Sequence, residues 1–330
     1  MTLPVLDRLW QPTQQTARRL AYLMLAANVT IVLTGGAVRL TGSGLGCPTW
    51  PECTEGEGGR DGSFVPHGEV DMHGVIEFGN RLLTFGLSAV AIATFVVMWR
   101  LRATRPTLWR LALVLGLGIP AQAVIGGLTV LTDLNPWIVA GHLLVSMALI
   151  GLSVLLVRRV GEPDGPALPT VPGPATALVI ATYAATWVVV YLGTVVTGSG
   201  PHAGDEDAPR NGLDPESMSQ LHTDAVFLLV GLTIGCVLAM RALDAPARLQ
   251  QAVRWLLAIE LAQGVVGAVQ YATDLPIALV ALHLLGASTI VAVATWALLQ
   301  TRERGPVDPH ADPPGLAQPS EADDRSIRGG

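Results

Sequence analysis

Apolar residues in this chain are gathered into long runs, not scattered. Eight mostly apolar stretches cover roughly 17–39, 72–98, 110–131, 137–157, 175–197, 217–240, 252–271 and 276–300. About 20 such residues in a helix cross the hydrocarbon layer of a bilayer. The alternating ten-residue pattern of barrel strands is absent. The pattern therefore predicts an all-α integral membrane protein with eight transmembrane helices.

The polar punctuation between the runs alternates in sign. Arginines cluster before span one, between spans two and three, after span four, between spans six and seven, and after span eight. Acidic residues fill the loops after spans one and five, and Asp133 and Asp274 mark two short turns. Arginine on one side sets orientation, so both termini are expected in the cytoplasm of a multi-pass cell-membrane protein. Span one is too long for a secretory h-region and no clear cleavage site follows it, so it is read as a mature helix. Residues 161–174 read as a linker rich in Pro and Gly, and 305–330 as a disordered cytoplasmic tail.

Composition sharpens this reading. Half of the 330 residues are hydrophobic and only 14% are charged, against about 25% in soluble domains. A soluble enzyme and a disordered protein are excluded, and the net charge of −6 argues against a nucleic-acid partner. All 20 basic residues are arginine.

The chain repeats itself. Residues 121–144 read AQAVIGGLTVLTDLNPWIVAGHLL and residues 262–285 read AQGVVGAVQYATDLPIALVALHLL, without a gap and with half of the positions identical. Thr41-Gly42-Ser43-Gly44 recurs as Thr197-Gly198-Ser199-Gly200. The expectation is two four-helix units, 1–160 and 175–304. Because four is even, both enter from the same side, related by a pseudo-twofold axis along the membrane normal.

Histidines fall near the starts of the even-numbered spans: His73, His142, His222 and His283. Intramembrane ionisable groups are costly and usually functional. His222 and His283 share the C-terminal unit, and two facing imidazoles are a standard pair of haem axial ligands. Packing against a carbonyl, or a zinc site, are the alternatives. In the N-terminal unit, HGVIEFGNRLLT at 73–84 places Glu77, Asn80 and Arg81 on one helix face. They form either a structural Glu–Arg pair or an acidic substrate site. Asp224 and Glu260 are further acidic residues within spans: Asp224, two residues past His222, could support that ligand from behind, and Glu260 could pack between helices or contact water. Cys47 and Cys53 lie in the outer loop, where a disulfide is the main reading and a redox-active thiol pair or a metal-handling pair are the alternatives. Arg39 and Arg81 could meet haem propionates or snorkel to lipid head groups.

The segment GGAVRLTGSGLGCPTWPEC, then IEFGNR, with histidines on spans four, six and eight, resembles the haem A synthase family over nearly all of residues 15–300. The resemblance implies an oxidoreductase that converts the C8 methyl of haem O to the formyl of haem A for cytochrome oxidase biogenesis. It implies haem b as cofactor between His222 and His283, and substrate haem near His142, Asn80, Arg81, Arg39 and His73. It also implies a catalytic Glu77 and a Cys47–Cys53 disulfide. Family members commonly carry Glu-x-x-His-Arg on span two. Here Asn80 replaces that histidine, as in an actinobacterial-like variant, which leaves His142 acting alone on the substrate iron or His73 in place of the missing ligand. A redox partner, haem O synthase, the oxidase assembly machinery and membrane lipid are the expected partners. Two rival readings are a b-type cytochrome for electron transfer, which leaves Glu77 unexplained, and a haem or ion transporter. For the transporter, corresponding broken helices would be expected, and Pro120 has no counterpart in the second unit.

Overall fold

The computed structural model describes residues 11–47, 49–53 and 72–306. The expected tail from 307, most of the acidic first loop, His67 and His310 lie outside the described residues. Eight helices long and apolar enough to cross a membrane are present among the described residues. They are α1 (Gln14–Leu40), α2 (Met72–Arg100), α3 (Pro106–Leu131), α4 (Pro136–Val160), α5 (Gly173–Ser199), α6 (Pro215–Ala242), α7 (Ala247–Ala272) and α8 (Ile277–Gln300). Two short strands, β1 (Ala167–Pro169) and β2 (Arg302–Arg304), pair antiparallel.

Local sequence explains the helix starts. Thr13, Asn135 and Asp214 cap α1, α4 and α6 by accepting backbone N–H bonds from Thr16, Trp137 and Ser217. Proline opens α3, α4 and α6, where its missing N–H is no loss and its fixed φ suits a first turn. Several helices run beyond the apolar spans. Helix α7 begins at Ala247 rather than near 252, because Leu249, Ala252 and Val253 bury one stripe while Arg248 and Arg254 remain on the exposed side. Arg158 and Arg159, expected just after span four, form its last turn.

The repeat is visible in backbone geometry. The turns α3–α4 and α7–α8 place Asp133-Leu134 and Asp274-Leu275 in the left-handed region, with φ of 51° and 59°, and 58° and 57°. Side chains rarely adopt that region. Each turn is held by the same bond: Leu134 N–H to Thr129 O and Leu275 N–H to Gln270 O, both 2.8 Å.

Helix packing falls into two rings. In one, α1 packs on α2, α2 on α3, α3 on α4 and α4 back on α1; in the other, α5 to α8 do the same. The rings meet through α4–α8, α1–α8 and α4–α5. Neither α2 with α4 nor α6 with α8 is a closely packed pair among the described residues, so these helices face each other diagonally. Phe85, Ile92, Phe227 and Val265 project outward, each more than 60% exposed, as a lipid-facing surface requires.

The two ends of the molecule differ. At the ribbon end, where β1 meets β2, each ring has an apolar core. Met24, Met98, Leu108 and Leu156 fill one, and Met240, Leu249, Val253 and Ala297 fill the other. Arg105 and Arg159 clamp Asp164 at 3.0 and 2.8 Å, and Arg158 pairs with Glu162. The ribbon was not anticipated, because three-residue strands leave no periodic signal. At the opposite end lie the first loop and its cysteines. There the core thins out: the last buried residue of α6 in that direction is Leu229, and of α7 Glu260.

Candidate functional site

His222 and His283 each lie about two turns in from the disulfide end of α6 and α8, on diagonally opposed helices. The helices between them present glycine to each ring. A Cβ at Gly193 of α5 would lie 3.3 Å from His222 Cε1, and one at Gly267 of α7 would lie 3.5 Å from His283 Cε1. Both rings are half-buried, and their Nδ1 atoms are buried without a hydrogen-bond partner. The Val189 backbone faces His222 without reaching hydrogen-bond geometry at Nδ1, and the two imidazoles are within electrostatic range of each other.

Each Nδ1 lies against its neighbouring glycine, 3.7 and 3.9 Å from a Cβ built there, which leaves Nε2 as the nitrogen of each ring able to ligate an iron beneath the thinned core. The residues fit a haem: two neutral nitrogen ligands from facing helices, glycine beside each ring, and apolar walls. No group of three or more His, Cys, Asp or Glu side chains suits a metal ion among the described residues, which disfavours a protein-built zinc site.

The α1–α4 ring repeats half of this arrangement. His142 lies at the same depth of α4, against Gly126, whose Cβ would be 3.5 Å from His142 Cε1. Gly126 and Gly267, like His142 and His283, are equivalent in the repeat. Gln122 donates to the His142 carbonyl at 3.1 Å and to the Ser146 hydroxyl. His142 Nδ1 is again buried without a partner. On the diagonally opposed α2, the position of His222 is taken by Asn80, whose Oδ1 is also buried and unpartnered. One ring thus presents two imidazoles and the other presents one imidazole and an amide.

One turn or less from Asn80, Glu77 and Arg81 reach the disulfide loop. Cys47 and Cys53 are bonded, with Cα atoms 4.4 Å apart. Glu77 Oε2 accepts the Cys47 N–H at 2.7 Å, while Oε1 pairs with Arg81 Nη2 at 2.6 Å. Arg81 also donates to the carbonyls of Cys47, Thr49 and Glu52. The loop then lays Trp50 on α3 at Gly127, where a Cβ would come within 2.4 Å of the indole. Residues Glu77 and Arg81 were legible from their spacing, but their hold on the loop was not, because it joins positions about 30 residues apart.

The other expected residues lie at the rim. His73, in the first turn of α2, pairs its Nδ1 with Ser43 Oγ at 3.0 Å, about 10 Å along the helix from Asn80. Arg39 donates to the carbonyls of His202 at 2.6 Å and Thr197 at 2.9 Å, and His202 in turn contacts the Leu275 carbonyl. Arg39 thereby ties α1 to the loop after α5. Asp224 accepts from Gln220 on an exposed face. Gln122 and Gly126 escaped the sequence reading as site residues, although the repeat contained them.

A family model described as cytochrome oxidase assembly protein, COX15-CtaA, matches residues 18–57 and 65–210. The chain belongs to the COX15-CtaA family. The family match covers the α1–α4 ring, the disulfide loop up to 57 and α5, and ends before α6. His222 and His283 therefore rest on the internal repeat and the geometry above. Similar proteins include the Heme A synthase of Symbiobacterium thermophilum, 28% identical over 74% of this chain and 81% of that protein. The Heme A synthase of Listeria welshimeri is 34% identical over 41% of this chain and 43% of that protein. That of Lysinibacillus sphaericus is 33% identical over 46% of this chain and 48% of that protein. The last two matches span less than half the length of those relatives.

Proposed function

We propose that this protein is a haem A synthase, oxidising the C8 methyl of haem O to the formyl of haem A for cytochrome oxidase biogenesis. The observation that carries the reading is the inequality of the two rings in a COX15-CtaA chain. One ring holds a complete pair of facing imidazoles. The other holds a single imidazole opposite an amide, with a carboxylate beside it.

In this reading the units 1–160 and 175–304 are pseudo-twofold related, which the matching turns and ring contacts support. His222 and His283 would hold haem b, and the chemistry it would supply there is one-electron transfer to a redox partner. His142 would bind the iron of the substrate haem, and the Asn80 amide opposite is a weak ligand by comparison. Arg39, Arg81 and His73 at the rim lie where propionates of a substrate would enter. Glu77, fixed by Arg81 and the Cys47 N–H, holds a negative charge in a low-dielectric site. There it stabilises positive charge developing at the methyl carbon or takes up its proton. The protein lies in the cell membrane with both termini cytoplasmic, receives haem O from a haem O synthase and delivers its product to oxidase assembly.

Co-expression with a haem O synthase, followed by chromatography of the extracted haems, tests the activity. Formyl haem is expected, and unaltered haem O from well-folded protein refutes it. Glu77→Ala is expected to lose haem A, and a wild-type yield would remove Glu77 from the chemistry. His222→Ala and His283→Ala are each expected to abolish a low-spin b-type spectrum.

A further inference from the structure

Glu260 has no part in the mechanism above, yet with Glu77 it is one of the two buried carboxylates among the described residues. It lies at the middle of α7, only 3% exposed, about 18 Å from the helix end that carries the short turn to α8. Thr233 Oγ1 of α6 is 2.9 Å from Glu260 Oε1, while Glu260 Oε2 is buried with no partner. One turn further along α6, Cys236 interacts electrostatically with Glu260 and contacts Thr182 Oγ1 of α5 at 3.2 Å. These residues form a buried polar cluster in which Glu260 is the carboxylate.

The other ring shows that packing does not require this carboxylate. By the repeat, Glu260 and Thr233 correspond to Ile119 and Ala91, both buried and apolar. At the equivalent α2–α3 positions the contact is apolar, and the polar groups buried near that depth in the α1–α4 ring, Asn28 and Ser153, are neutral. The polar pair is therefore specific to the ring with two facing imidazoles. It lies about 16 Å along α6 from His222, since Thr233 follows it by three turns. Charges at such a distance still interact appreciably where the medium is apolar.

We propose that Glu260 is a redox-linked proton site for the haem held by His222 and His283. When the iron gains one electron, the carboxylate takes up one proton from water; when the electron leaves, the proton is released. The charge of the buried region then stays constant through the cycle, which avoids the cost of an uncompensated charge in low dielectric. The Thr233 hydroxyl, shared between the Leu229 carbonyl at 3.0 Å and Oε1 at 2.9 Å, holds the carboxyl in place, and the unpartnered Oε2 is the position that carries the proton. The elements packed on α7 are α6 and α8. Their ionisable groups are Glu216, His222, Asp224, Cys236 and Arg241 on α6 and His283 on α8. Of these, Cys236 is within electrostatic range of Glu260, and none hydrogen-bonds to it among the described residues. The proposal rests on the assignment of His222 and His283 as haem ligands.

The test uses the purified, haem-loaded protein. Reduced-minus-oxidised infrared difference spectra are expected to show a carboxylic acid C=O band that is missing in Glu260→Gln. In spectroelectrochemical titrations, the haem midpoint potential of the wild type is expected to fall as pH rises. That dependence should flatten in Glu260→Gln, and Thr233→Val should displace the pH range of the dependence without removing it. Glu260→Gln is close to isosteric and keeps the acceptor for Thr233. If its band and pH dependence match the wild type, while His222→Ala removes the haem spectrum, Glu260 is not the proton site. A protein without haem, or with a spectrum untouched by His222→Ala, overturns the ligand assignment and the proposal together.

Discussion

Removing the Glu77 carboxylate is expected to unlatch the disulfide loop, and the structure sets the size of the effect. The carboxylate makes a 2.7 Å bond to the Cys47 N–H and a 2.6 Å ion pair with Arg81. A buried hydrogen bond to a charged group contributes about 1.5–3 kcal/mol. The Arg81 side chain is 23% exposed, so its loss of a partner is screened and adds about 1 kcal/mol, far less than for a fully buried pair. Glu77→Ala should therefore favour local opening of the loop by about 3 kcal/mol, or roughly a hundredfold in the opening equilibrium. Glu77→Gln retains an acceptor for the Cys47 N–H and loses only the charge, so it should favour opening by about 1 kcal/mol, roughly fivefold. Cys47 and Cys53 are 0% and 1% exposed, so a soluble reductant reaches their bond only through the open form. The assay is the rate of disulfide reduction by a membrane-impermeant phosphine, followed by thiol labelling. The order expected is Ala far above Gln, and Gln above wild type. Equal rates for wild type and Glu77→Ala would refute the latch.

Three further outcomes follow from contacts elsewhere. Gly127→Ala would bring a Cβ within 2.4 Å of the Trp50 indole, whereas Gly126→Ala meets His142 Cε1 at an ordinary 3.5 Å. Trp50 emission, isolated by difference against Trp50→Phe, should shift to the red in the first variant and not in the second. Arg39→Ala removes the donor to the carbonyls of His202 and Thr197, a loss of about 2–4 kcal/mol at charged hydrogen bonds, and should speed amide exchange across residues 200–213. The hydrogen bonds from Ser217 hold the Asp214 carboxyl below its ordinary value of 3.8. A lowered folded-state value means the cap stabilises α6 above the unfolded value and fades as pH falls through the folded one. The melting difference between wild type and Asp214→Asn should therefore shrink as the solution is acidified through that range.

Much of the site was readable residue by residue. His142, His222 and His283 stood out because ionisable groups in apolar runs are rare, and the repeat placed two of them at one position. Asn80 stood out because it replaces the histidine of the Glu-x-x-His-Arg motif that the resemblance implies. What could not be read was how these residues are occupied. Arg39 is committed to backbone carbonyls of Thr197, in the last turn of α5, and His202, in the loop after it, more than 150 residues away. Glu77 is committed to a backbone N–H in the disulfide loop. Such bonds depend on where two loops fall in space, and no periodicity encodes that.

The membrane architecture, by contrast, was determined by the sequence alone. A bilayer demands an unbroken apolar run for every crossing, so eight crossings must appear as eight runs, and a duplicated ancestor must appear as a repeated pattern. The tertiary structure decided which helices stand diagonally and which touch. That choice separates α6 from α8 across a thinned core and presses α7 on α6, so that Glu260 meets Thr233, 27 positions away. The physical reason is that lipid exerts the same demand on every helix, while the neighbours of each side chain are set by how the helices pack on one another.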